Sequence, residues 1–167
     1  WTLAGGGGGE GEGGGGGGWE GVEVRGGRVR KVDWRHSCLV GNVPEDIGQL
    51  AMLEVLYLNG NRLDGEVPEA LGRLKHLRYI DLSNNRLTMI PQSIRCCQSL
   101  NYLALFNNKL RVVPKELASL TNLAYLSLHG NPAWEETLMR QSQLMGVYIA
   151  GQQLKEYLAA LESEGQQ

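Results

Sequence analysis

Leu77-Arg-Tyr-Ile80-Asp-Leu82-Ser-Asn-Asn85-Arg-Leu87 is followed by Leu100-Asn-Tyr-Leu103-Ala-Leu105-Phe-Asn-Asn108-Lys-Leu110. The same frame stands before this pair as Leu53, Leu56, Leu58, Asn61 and Leu63, and after it as Leu123, Leu126, Leu128 and Asn131. A degenerate first copy reads Val29, Val32, Trp34, Ser37 and Leu39. Asn61, Asn85, Asn108 and Asn131 therefore recur at intervals of 24, 23 and 23 residues, each three residues after a leucine. A period of this length marks a chain built from units that each leave an apolar side for the next unit to cover.

Within a unit, apolar and polar residues alternate around the paired leucines, which predicts a short strand with the leucines pointing inward. Neighbouring units then pair these strands into a parallel sheet. The return legs carry Ile47, Leu50, Leu53; Leu71, Leu74, Leu77; Ile94, Cys97, Leu100; and Leu117, Leu120, Leu123. Spacing of three predicts a short helical or 3₁₀ segment with one inward stripe. Cys97 occupies a leucine slot of that stripe and reads as a small buried hydrophobe. The asparagine amides can both donate to and accept from backbone groups where the chain turns away, so Asn61, Asn85, Asn108 and Asn131 read as a structural ladder and not as an active site.

The frame L-x-x-L-x-L-x-x-N-x-L resembles the leucine-rich repeat. That resemblance implies an α/β solenoid, a right-handed superhelix with a concave parallel β-sheet, short helical or 3₁₀ convex segments and a C-terminal helical cap. Leu39-Val-Gly-Asn-Val-Pro-Glu-Asp-Ile-Gly and Leu63-Asp-Gly-Glu-Val-Pro-Glu-Ala-Leu-Gly are similar to the 24-residue plant-type repeat. The later copies, with Ile90-Pro91 and Val113-Pro114, are similar to the 23-residue repeats of intracellular Ras-group-related proteins. Trp19-Glu-Gly-Val-Glu-Val resembles the plant-type N-terminal cap, with Val24 where that family usually has cysteine. Gly151-Gln-Gln-Leu-Lys-Glu-Tyr-Leu resembles the closing tail of intracellular members, and Leu154, Tyr157, Leu158 and Leu161 fall on one helical face. A further helix is expected around Glu135 to Met145. The expected division is a glycine-rich disordered segment (1–18), an N-terminal cap (19–28), five repeats (29–132), and a C-terminal helical cap and tail (133–167).

The chain has 167 residues, 42% of them apolar, with a formal net charge of −2, which provides no general attraction for nucleic acid or anionic lipid. No apolar run approaches the ~18 residues of a membrane span. Three cysteines, Cys38, Cys96 and Cys97, match no disulfide or zinc spacing, and no asparagine stands in an N-glycosylation motif. Both features lean toward a reducing, cytoplasmic setting. The glycine tract contains a formal G-x-G-x-x-G but lacks the flanking strand and helix of a nucleotide site. The three histidines lack metal-ligand spacing, and no G-x-S-x-G, H-E-x-x-H or kinase signature is present. The sequence therefore points to a chain that is not an enzyme and needs no cofactor or metal.

The register also names the outward residues of the concave strands. One column is Lys31, Val55, Tyr79, Tyr102 and Tyr125; the next is Asp33, Tyr57, Asp81, Ala104 and Ser127; the third is Arg35, Asn59, Ser83, Phe106 and His129. Strands ~4.8 Å apart should merge these rings into a continuous patch. Tyrosine is favoured at binding hot spots because it offers large, stiff, amphipathic area. The expected partner-binding residues are Tyr57, Tyr79, Asp81, Tyr102, Phe106, Tyr125 and His129. Arg62, Arg86 and Lys109 form a basic column after the ladder and read as a solvated rim. The expectation is a monomeric protein-binding scaffold or adaptor of the kind used in signalling, with a regulatory or ligand-sensing segment of a larger receptor-like kinase or repeat-bearing GTPase as the alternative.

Overall fold

The computed structural model describes residues 2–3, 19–133, 149–150, 156–157 and 159–160. In chain order the elements are β1 (Thr2–Leu3), β2 (Val22–Arg25), β3 (Arg28–Asp33), β4 (Leu39–Gly41), the 3₁₀ turn η1 (Glu45–Gln49), β5 (Val55–Tyr57), β6 (Arg62–Glu66), η2 (Glu69–Arg73), β7 (Tyr79–Asp81), β8 (Arg86–Met89), η3 (Gln92–Cys96), β9 (Tyr102–Ala104), η4 (Lys115–Ser119), β10 (Tyr125–Ser127) and β11 (Ile149–Ala150).

Strands β3, β5, β7, β9 and β10 pair in parallel, in sequence order, as the concave sheet. Their register aligns Val32, Leu56, Ile80, Leu103 and Leu126 in one internal row, each 0–2% exposed. A fully buried leucine contributes roughly 1.5–3 kcal/mol, and only the neighbouring repeats can supply that burial here. Strand β2 turns back antiparallel on β3, and β11 lies antiparallel on β10. Both outer strands of the parallel stack are thus paired, and the edges of the sheet pass to β2 and to the two-residue β11.

Each return leg begins with proline. Pro44, Pro68, Pro91 and Pro114 stand just before the four 3₁₀ turns with φ between −75° and −68°. The fixed proline torsion suits this position, and each proline carbonyl accepts from the N–H three residues on, at Ile47, Leu71, Ile94 and Leu117. In the plant-type copies the inward Ile47 and Leu71 are followed by Gly48 and Gly72. A Cβ on Gly72 would stand 2.5 Å from the Ser93 Cβ, and one on Gly48 would stand 2.7 Å from the Ala70 Cβ. Glycine is needed at both places because adjacent turns approach too closely for a side chain.

The asparagine amides join successive turns. The Asn108 Oδ1 accepts from the Leu87 N–H at 3.0 Å, while its Nδ2 donates to the Leu82 and Leu105 carbonyls, both at 3.0 Å. Asn85 ties Leu63, Leu58 and Leu82 in the same way, and Asn131 ties Leu110, Leu105 and Leu128. Asn61 ends the series by accepting from both Ser37 and Leu39.

A second sheet, in the order β1-β4-β6-β8, runs beside the concave one and has no counterpart in the sequence reading. Its residues Arg62, Asp64 and Glu66 are exposed and charged, interrupted by Gly65, so the stretch carries the composition of a loop. Its strands become visible only when equivalent segments stand side by side. The segment 1–18, expected as a disordered tail, contributes the dipeptide β1, which pairs with β4; the glycine tract itself lies outside the described residues. The helix expected around Glu135 to Met145 also lies outside them, as do Leu154, Leu158 and Leu161 of the closing face; Tyr157 is described, helical and 2% exposed.

Candidate partner-binding surface

The concave sheet has two chemically different halves. On β3 and β5 the polar groups complete one another. Arg35 grips Asp33 through two bonds of 2.7 and 2.9 Å, and the Lys31 Nζ lies 3.0 Å from the same carboxylate. Burial works to raise the pKa of Asp33, but hydrogen bonds from Arg35 and Lys31 together outweigh it and hold the carboxyl below its usual range. Both cations also stand over the Tyr57 ring, Lys31 at 5.6 Å and Arg35 at 5.2 Å from its centroid. Beside this group Arg30 pairs with Glu54 at 2.7 Å. A recess of about 990 Å³ opens between the N-terminal hairpin and this half, lined among others by Trp19, Lys31, Asp33, Trp34 and Arg35. Trp34, from an inward slot, donates its indole N–H to the Glu20 carbonyl at 2.8 Å and so fastens the hairpin to the first repeat.

On β7, β9 and β10 the surface is aromatic. Tyr102 and Tyr125 stack with centroids 4.4 Å apart at 6°, and Tyr79 tilts against Tyr102 at 6.4 Å. Phe106 stacks on His129 at 4.7 Å and 8°, and the His129 Nδ1 lies 3.0 Å from the Ser127 hydroxyl. Burial, followed by the nearby Tyr125 and Asp81, pushes the Tyr102 hydroxyl up to about 12, so at neutral pH it remains a hydrogen-bond donor.

Two expectations are refined. The rings are not equivalent: Tyr57 lies under the Lys31 and Arg35 cations, Tyr79, Tyr102 and Tyr125 form a series, and Phe106 stacks on His129. Nor are all outward positions accessible, because Ser83, Ala104 and Ser127 are 0% exposed. Their side chains are small and stand between taller neighbours, as Ala104 does between Tyr102 and Phe106, so outward direction does not become exposure. Of the predicted residues, Tyr79 is 40% exposed, while Tyr57, Asp81, Tyr102, Phe106, Tyr125 and His129 are half-buried.

Arg62, Arg86 and Lys109 are exposed and stand in no ion pair among the described residues. Cys97 is fully buried, its thiol bonded to the Leu71 carbonyl at 3.4 Å and pushed by burial to about 11, so it is not a nucleophile at neutral pH. Among the described residues no group of His, Cys, Asp or Glu could hold a metal ion, and no helix is long and apolar enough to cross a membrane.

Comparison with known proteins agrees with this geometry. The family model for the leucine-rich repeat matches residues 51–110. A chain of the BIR3–SERK2 complex from Arabidopsis thaliana is 36% identical over 66% of this chain and 62% of its own length, with a TM-score of 0.62. This chain is a leucine-rich repeat protein. The BIR2 ectodomain from Arabidopsis thaliana is 29% identical to it, covering 68% of this chain and 74% of that one with a TM-score of 0.61. A Leptospira interrogans leucine-rich repeat protein is 35% identical over 63% of this chain and 26% of its own, with a TM-score of 0.56. The leucine-rich repeat chain thus spans 62% of the first of these relatives. No curated protein matches the sequence. Leucine-rich repeats generally mediate binding between proteins, and this chain has the rigid, side-chain-bearing sheet which that use requires.

Proposed function

We propose that the aromatic half of the concave sheet binds a protein partner and that the chain acts as a monomeric cytoplasmic scaffold or adaptor. The observation that carries the reading is the Tyr79, Tyr102 and Tyr125 series, held in fixed spacing by three paired strands. Rings fixed before contact lose little conformational freedom on binding, so more of their burial appears as affinity. A standard interface takes ~800 Å² from each partner, within reach of five repeats. Val24 at the cap position where the plant-type family usually has cysteine, together with the exposed free thiol of Cys38, supports a reducing compartment. Replacing Tyr79, Tyr102 and Tyr125 together with alanine is expected to abolish partner binding, read by calorimetric titration with the captured partner, while circular dichroism stays that of the parent. Unchanged affinity would dismiss the concave-face reading.

The likeness to the ectodomain of a plant membrane receptor kinase favours a second reading, a ligand-sensing segment of a larger receptor. Fractionation of cells producing the tagged full-length product separates the two, since a receptor segment travels with membranes and an adaptor does not.

A further inference from the structure

The concave sheet contains one cation site that the chain completes for itself and one carboxylate, Asp81, that stands in no ion pair among the described residues. In the first, Lys31 and Arg35 stand over the Tyr57 ring and pair with Asp33. Strand register places Asp81 directly opposite Tyr57 on the other side. The positions on and just after β7 that correspond to Lys31 and Arg35 are Tyr79 and Ser83, neither of which carries charge. One Asp81 oxygen accepts from the Ser83 N–H at 3.0 Å and from the Ser83 hydroxyl at 2.6 Å. Asp81 nevertheless stands in no ion pair among the described residues, and Arg35 is already committed to Asp33 by two bonds. In the adjoining row the Asn59 Oδ1 is buried with no hydrogen-bond partner. This part of the surface therefore holds a carboxylate and rings, and the cation whose field reaches Asp81, Arg35, is bonded to Asp33 instead.

We infer that Asp81, with Tyr79 and Tyr102 beside it, receives an arginine side chain from a basic segment of the protein partner. The inference rests on the concave-face reading and adds the partner's chemistry to it. Arginine fits better than lysine because a planar guanidinium can stack on a ring while giving two parallel bonds to a carboxylate. A cation over a tyrosine ring gains further from the ring quadrupole, as Lys31 and Arg35 already do on Tyr57. The opposite charge preference would come from Arg62, Arg86 and Lys109, but that column follows the ladder asparagines and lies outside the concave strands.

The test is selection from a random displayed-peptide library against three forms of the full chain: the parent, Asp81→Asn, and the Tyr79, Tyr102 and Tyr125 triple alanine variant. Asp81→Asn keeps the oxygen that Ser83 uses, and matching thermal midpoints verify its fold. The parent is expected to select peptides enriched in arginine. Those peptides should bind Asp81→Asn about tenfold more weakly, the scale of one lost charge-assisted contact, and lose affinity as salt is raised. Replacing their arginine by citrulline should give the same loss on the parent and none on Asp81→Asn. Selection of acidic or uncharged peptides that still need the tyrosines would overturn the arginine site and leave the concave-face reading standing. Peptides that bind the triple variant equally well, or no selection at all by the parent, would overturn both.

Discussion

The two halves of the concave sheet share a backbone and differ in how far their side chains satisfy one another. On β3 and β5, Lys31, Asp33, Arg35 and Tyr57 close into a self-contained group, so a partner would first have to displace bonds already made. On β7, β9 and β10 the tyrosine rings pack on one another, and the Asp81 carboxylate beside them accepts only from Ser83 and stands in no ion pair among the described residues. The flank differs too: β4, β6 and β8 form the second sheet beside the earlier repeats, whereas residues 110–113 form no strand after β8. A solenoid can therefore hold its backbone constant and still divide its length into a self-satisfied part and a receptive part, because each repeat's outward residues are independent of its inward ones.

The largest expected effect tests what the halves have in common. Asn108→Ala removes three buried bonds, leaving the Leu87 N–H without its acceptor and taking one bond from each of the Leu82 and Leu105 carbonyls, which still accept from Asn85 and Asn131, and should destabilise the chain by about 3 kcal/mol in denaturant unfolding. Asn61→Ala should cost about as much at the other end, since the Ser37 and Leu39 N–H groups depend on its Oδ1. A loss below about 1 kcal/mol at only one of them would mean that water replaces the amide there, and the shared backbone would not be equally braced.

A smaller effect should separate the halves. Gly72→Ala places a Cβ against Ser93 and is expected to cost about 1–3 kcal/mol. Arg95 is its exposed equivalent one repeat later, and Arg95→Ala should change stability by no more than about 0.5 kcal/mol. Equal costs would show that the plant-type turns are no more closely packed than the later ones.

The smallest effect is a difference in pH response. Tyr102 keeps its proton to about 12 when folded, against an ordinary value of 10.0, so between these values the unfolded chain binds fewer protons and stability falls as pH rises. Asp33 is held below its ordinary 3.8, so its contribution is present above that value and is lost as pH falls through the folded pKa. Thermal melts should therefore show Tyr102→Phe flattening the alkaline decline and Asp33→Asn flattening the acid one. Either substitution acting at the opposite end of the pH range would break the contrast.

Much of this was legible from spacing. The alternation around Leu56, Ile80, Leu103 and Leu126 gave strand, register and inward row together, since a slip of one residue would turn every leucine to water. The triplet stripe gave the 3₁₀ legs, and the Asn positions gave the ladder. The second sheet was not legible, because Arg62-Leu63-Asp64-Gly65-Glu66 has no strand-like composition and pairs only through neighbours 22 to 23 residues away. The division of the candidate surface was hidden for a related reason. Columns show which residues are adjacent, but they do not show that Tyr57 is occupied by Lys31 and Arg35, or that Ala104 lies below the rings beside it.

Sequence alone determined which side of each strand is apolar and how often the unit repeats, because the burial of leucine and the bonding capacity of asparagine are properties of single residues at fixed spacing. Only the tertiary structure decided which outward groups satisfy one another and which remain open to a partner. That outcome depends on side-chain reach across strands ~4.8 Å apart, a distance the linear order does not contain.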